Sequence, residues 1–218
     1  MEELIQLTSK LSIQSQVQKH GFDFENDIRT NVFELKSEVN NRDIHDIPAK
    51  HNKFNDNENI SIKLTSKKNC VECGDILRFF EYNFDQKNTI IVGKYKQIGN
   101  IKKIYEIIEI DYTKEFHTYL FGSITKELLE KYIRMIKAIP KENYTITKDD
   151  KEYYLDKKRE LQKEHSMKII IHPKVDTSGQ RRVQCSIPFV EKFILSKSEN
   201  VIRGVTINDI VSPPRKRN

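Results

Sequence analysis

Tryptophan is absent from this 218-residue chain, and cysteine is scarce, with three residues. Cys70, Cys73 and Cys185 are too few for a disulfide framework and point to a reducing compartment. Cys70-Val-Glu-Cys73 is a lone CxxC, and no second pair follows at the spacing of a four-ligand zinc site, so ordinary structural thiols are the expected role. No run approaches the ~20 apolar residues of a membrane span. The first ten residues, MEELIQLTSK, lack the basic start and apolar centre of a signal peptide. Together these absences predict a soluble, cytoplasmic protein. Neither an internal repeat nor a long linker is visible, which predicts one domain over residues 1–218, long enough to bury a substantial core.

What is present is a polar but foldable composition, 37% hydrophobic and 32% charged, with 11 Phe and 9 Tyr to anchor a core. The net charge of +6, from 38 basic and 32 acidic residues, is compatible with a polyanionic partner and equally with a merely soluble basic protein.

Periodicity places the elements. Leu4, Leu7 and Leu11 recur at helical spacing and predict a helix ending near Gly21. A second helical segment starts at Phe22, with Asp23 as a cap, Phe24, Ile28 and Val32 facing the core, and Glu25 and Arg29 one turn apart on another side. Asp75 caps a further helical stretch that buries Ile76, Leu77, Phe79 and Phe80. Two strands follow, Asn88 to Gly93 and Ile104 to Ile110; the consecutive β-branched residues of the first predict a central strand covered on both faces. Ser123 to Ile139 puts Leu128, Leu129, Tyr132, Ile133 and Ile136 on one helical face, and Pro140 ends it. Thr147 to His165 reads as a solvated helix with acids in its first turn and cations later. The order of these elements predicts the α/β (α+β) class.

The stretch from Asp43 to Thr65 carries the chemistry. Asn59-Ile60-Ser61-Ile62-Lys63-Leu64-Thr65 alternates with the period of a half-buried strand, putting Ser61, Lys63 and Thr65 on one face and Ile60, Ile62 and Leu64 on the other. A strand lysine beside an acidic group is a hydrolytic arrangement: the carboxylate holds a divalent cation, while the ammonium orients water and stabilises a developing oxyanion. Taken singly, each residue also has an ordinary reading, Lys63 as a solvated sheet edge and Asp46 as a turn cap.

This pattern resembles the PD-(D/E)xK nuclease superfamily, in particular its type II restriction endonucleases. Asp46 matches the first acid, with Asp43 as its rival, and Ser61-Ile62-Lys63 matches the (D/E)-x-K tripeptide. Ser61 stands where the family has a carboxylate, and Pro48 follows the acid instead of preceding it. The resemblance implies a central mixed β-sheet flanked by helices, with a restriction-endonuclease-like core lying mainly in residues 1–140. It implies Mg²⁺ held by Asp46 with Glu25 and the carbonyl of Ile62, water activated at the scissile phosphate, Lys63 stabilising charge, and Ser61 positioning a water. Double-stranded DNA would be the substrate. A homodimer and a companion DNA methyltransferase belong to the same expectation.

The late sequence predicts a hairpin within residues 167–190. Lys168 to Lys174 forms one strand, with Pro173 at its end or on an edge. Asp176-Thr177-Ser178-Gly179 turns the chain, and Gln180 to Ile187 returns. Its rim carries Gln180, Arg181, Arg182 and Gln184, side chains able to read bases or clamp phosphates in a groove. Residues 212–218 form a basic tail that adds non-specific attraction. Competing readings are a sequence-specific DNA-binding protein without catalysis, a DNA-repair or RNA-processing nuclease of the same fold, and a histidine-metal nuclease built on His45, His51 and Asn52.

Overall fold

The computed structural model describes residues 23–35, 43–140, 147–176 and 179–211. The helix expected over the first twenty residues, the Gly21-Phe22 pair, Thr177-Ser178 of the hairpin turn and the 212–218 tail lie outside them. The described chain has the mixed α/β composition expected, and its strands are divided among sheets of five, three and two strands. Two compact units share it without being consecutive stretches. One takes the chain up to Lys68, Thr89–Ile110 and the chain from Ile194; the other takes Asn69–Asn88 and Asp111–Phe193. The residue-140 limit drawn for the core therefore does not coincide with a unit boundary: residues 111–140 share a unit with the hairpin at 170–188.

The first unit is built on the five-stranded sheet. Its path runs β1 (Glu58–Thr65), β3 (Lys87–Ile98), β4 (Ile101–Asp111) and β10 (Ile210–Val211), with β7 (Ile194–Ser198) also paired to β4. β3 is interior, as its run of β-branched residues predicts, and Asn88 to Gly93 is buried throughout. β3 and β4 join through Gly99-Asn100, a connection short enough to require antiparallel strands; Gly99 supplies φ +55° for the turn.

Helix α1 (residues 23–27) continues into a π-helical turn, Ile28–Val32. Phe24, Ile28 and Val32 are fully buried, in a cluster with Ile60, Ile62, Ile91, Ile104 and Ile107. Glycine at 93 is a packing requirement, because a Cβ there would lie 2.5 Å from the Phe24 ring. The helix ends with Glu34 at φ +59° and the Leu35 amide bonded to the Arg29 carbonyl, the wider loop that closes a Schellman-type terminus.

The second unit holds the three-stranded sheet, ordered β2 (Cys70–Asp75), β6 (Arg181–Pro188), β5 (Ile170–Val175), all antiparallel. The predicted hairpin is there, and Pro173 sits on the edge strand, where its missing N–H costs no ladder bond. Helices α2 (Lys114–Phe121), α3 (Lys126–Lys137) and α4 (Lys148–Glu164) complete the unit. Leu129, Tyr132, Ile133 and Ile136 of α3 are buried, while Leu128 is only half-buried. Thr147 and Asp150 form a reciprocal capping box at the start of α4. Asp75 caps as expected, accepting from the Leu77 amide at 3.0 Å, but the turn it opens is 3₁₀ (Ile76–Glu81).

No signal in the sequence was used to place α2, yet it supports the densest aromatic packing of this unit. Tyr112 is fully buried among Phe79, Tyr82 and Phe116, and its hydroxyl lies 3.1 Å from Nδ1 of His117. The His117 ring meets Phe80, Phe84 and Phe121. Burial pushes its imidazole down from 6.5 to about 4. Between those values the unfolded chain binds a proton that the folded chain refuses, so stability is full above about pH 6.5 and falls as the pH drops toward about 4. Melting curves between pH 7 and 4.5 are therefore expected to shift downward, with a smaller shift in His117→Gln. Equal shifts in both proteins would remove His117 as the source.

Candidate functional site

Strand register brings the acid to the lysine. Ile47 and Ile60 form an antiparallel bridge, with amide-to-carbonyl distances of 2.9 and 2.8 Å. The segment is fixed further along by the Asn59 side chain, which accepts from the Ala49 amide at 2.9 Å. Stepping one residue out from the bridge places Asp46 opposite Ser61. Asp46 Oδ2 then accepts from the Ile62 amide at 2.5 Å and from the Lys63 ammonium at 2.9 Å. Lys63 Nζ also donates to the Ile62 carbonyl at 2.7 Å. Both side chains keep about a quarter of their surface in solvent, 27% for Lys63 and 21% for Asp46, so the pair is partly desolvated and still reachable.

Glu25 reaches the same neighbourhood from α1. Its Oε1 lies 3.5 Å from Nη1 of Arg29, and the pair is less solvated than a surface i,i+4 contact: the arginine side chain is only 7% exposed and the glutamate 20%. The Glu25 carboxyl is pushed above its ordinary range, first by burial and then by the Asp46 carboxylate, against the pull of Lys63 and Arg29. Two acids close enough to raise one another's proton affinity, with a lysine between their fields, form a locus where a cation would be favourable.

The remaining predicted residues divide. Ser61 is buried, with its hydroxyl 3.5 Å from Nδ1 of His45. The expected half-buried strand is instead covered on both faces from Glu58 to Ile62, because the 43–52 segment lies along it. Asp43 is exposed, and the carboxylate bonded to Lys63 is that of Asp46. Asn52, invoked for a histidine-metal reading, is a structural residue: it is buried, donates to Glu58 at 3.0 and 3.1 Å, and accepts from the amides of Phe54 and Asn55. Among the described residues, no group of three or more His, Cys, Asp or Glu side chains is placed to hold a metal ion. The oxygen donors do suit Mg²⁺, which needs only one or two carboxylates and keeps several waters. The Ile62 carbonyl, expected as a ligand, is occupied by Lys63.

The hairpin differs from its expected form at one residue. Arg181 is buried, and its guanidinium donates to the carbonyls of Ile139, Asp176 and Gln180 at 3.0, 3.0 and 2.8 Å and to that of Pro140. It clamps the hairpin to the chain after α3 and is withdrawn from any rim, because strand alternation turns it to the covered face with Val183 and Cys185. Arg182 is exposed, and Gln180 and Gln184 are half-buried.

Also unanticipated is a buried ionic network in the first unit. Glu58, 1% exposed, accepts from Thr89 at 2.6 Å and from Arg203 at 3.3 Å, and Arg203 lies 3.8 Å from Glu109. A charged residue at the head of an apolar alternating run was the available signal, since Glu58 directly precedes the strand pattern.

No protein-family model matches this chain, and comparison with curated proteins and with solved structures gives no match. No helix among the described residues is long and apolar enough to cross a membrane.

Proposed function

We propose that the protein is a metal-dependent endonuclease that hydrolyses phosphodiester bonds in double-stranded DNA, with a restriction-endonuclease-like core in its first unit. The observation that carries this reading is the bond between the Lys63 ammonium and Asp46, formed across 17 residues of chain and held by the Ile47–Ile60 bridge. Mg²⁺, held by Asp46 and Glu25, supplies a Lewis acid and lowers the pKa of bound water. Within that scheme Lys63, oriented by Asp46 and the Ile62 carbonyl, faces the attacked phosphate and offsets the charge that accumulates on it. Glu25 becomes fully ionised when a cation enters, since positive charge opposes the burial and acid–acid repulsion that raise its pKa. Ser61 contributes a neutral hydroxyl at a buried position where a carboxylate would carry a large desolvation cost.

A sequence-specific, type II form of this activity brings with it a homodimer for symmetric sites and a companion methyltransferase. The test is digestion of a long, unmethylated linear duplex by the full chain with Mg²⁺ and with EDTA. Discrete metal-dependent fragments are expected. An intact duplex with both Mg²⁺ and Mn²⁺, under conditions where the protein binds it, would replace this reading with that of a non-catalytic DNA-binding protein.

A further inference from the structure

The open face of the β5–β6 ribbon carries an arrangement that its own fold does not neutralise. Lys174 and Arg182 are directly opposed across the two strands, and His172 and Gln184 form the next opposed pair on the same face. Like charges at directly opposed positions destabilise a sheet unless an anion lies between or above them. Neither cation has a carboxylate partner among the described residues, although the chain has 32 acids. Arg182 is exposed, and Lys174 and Gln184 are half-buried. The other face is locked down: Ile171, Val183, Cys185 and Ile187 are buried, and Arg181 binds the hairpin to the carbonyls of Ile139 and Pro140. On the open face, His172 Nε2 is 2.8 Å from the hydroxyl of Ser186, which fixes the ring beside Gln184. The result is a stiff two-stranded ribbon with cations at its outer end and amide and imidazole groups behind them.

We propose that this face is a duplex-DNA contact surface in which Lys174 and Arg182 clamp a backbone phosphate and Gln184, beside His172, reaches base edges. A two-stranded ribbon is of a size to enter the major groove, and a glutamine amide pairs bidentately with adenine there. The choice of duplex DNA as the polyanion rests on the nuclease reading; the cationic face itself does not. Binding does not depend on Arg181, whose guanidinium positions the ribbon.

The experiment measures binding of the full chain to a labelled duplex in EDTA across a range of salt, for wild type, Lys174→Ala/Arg182→Ala, Gln184→Ala and Lys63→Ala. The double variant is expected to weaken binding by about tenfold or more and to reduce the slope of log K against log salt by about 2, one unit for each lost contact. Lys63→Ala is expected to bind like wild type. Gln184→Ala is expected to retain the salt slope while losing preference among duplex sequences. Unchanged affinity and slope in the double variant, with its melting temperature intact, would overturn the proposal even if wild type cuts DNA. Tighter binding to an equal-length RNA, or none to duplex DNA, would also overturn it. Wild-type binding without cleavage, abolished by the double substitution, would uphold it and remove the nuclease reading instead.

Discussion

Lys63→Ala is expected to lower Mg²⁺-dependent cleavage of duplex DNA by a factor on the order of 10²–10³, the usual consequence of removing one preorganised donor from a site of developing negative charge. The substitution removes two hydrogen bonds, those to Asp46 and to the Ile62 carbonyl. It also removes the cation that opposes the rise in Glu25's pKa, so Glu25 holds its proton more strongly in the variant. Asp46→Asn is expected to fail for a different reason, since it keeps the shape of the side chain and loses the charge. Lys63→Arg separates position from charge: the planar guanidinium retains the charge but is not shaped to bridge one carboxylate oxygen and the adjacent carbonyl. The checks are initial cleavage rates with melting curves on each variant. A folded Lys63→Ala protein that cuts at the wild-type rate removes the lysine from the mechanism, and the same outcome for Asp46→Asn removes the acid.

Arg203→Ala should produce the largest loss of stability. The guanidinium is 17% exposed and faces Glu58, which is 1% exposed, and Glu109, which is 15% exposed. Phe33 and Phe54 lie 5.5 and 5.2 Å from its central carbon and exclude water from that side. Removing one partner of such a group leaves an uncompensated buried charge, at a cost of about 3–5 kcal/mol. For a chain of this size that corresponds to a fall in melting temperature of roughly 6–20 °C. Arg203→Lys recovers only part of the loss, because an ammonium cannot span both carboxylates while stacking on the rings. The joint replacement Glu58→Gln/Arg203→Met is expected to be less damaging than Arg203→Ala, since neither buried charge then remains. Thermal melts of the three variants decide the matter: an Arg203→Ala protein melting within 2 °C of wild type would show that Glu58 is satisfied by Thr89 and Asn52 alone.

The site and this network show how far local pattern reaches. The alternation of Asn59 to Thr65 correctly announced a strand, but not that both faces would be covered, because covering depends on the 43–52 segment lying along it. Glu25 and Arg29 were visibly one turn apart. Their burial follows from Phe24, Ile28 and Val32 entering the core beside Gly93, which draws the same helix inward. At the hairpin, turn residues and alternating polarity located the two strands, while nothing local distinguished Arg181 from Arg182.

By itself the sequence determined the elements whose signals lie within a turn or a strand's length. These are the β-branched interior strand at Asn88 to Gly93, the apolar face of Leu129 to Ile136, the caps at Asp75 and Thr147, and the hairpin with its edge proline. Only the tertiary structure decided which aspartate meets Lys63, which arginine becomes a clamp, and which acid at the start of a strand is buried against Arg203. Periodicity records whether a residue faces the interior. A hydrogen bond between residues 17, 42 or 145 positions apart depends on strand register and on the packing that fixes it, and a single one-residue slip would exchange every partner.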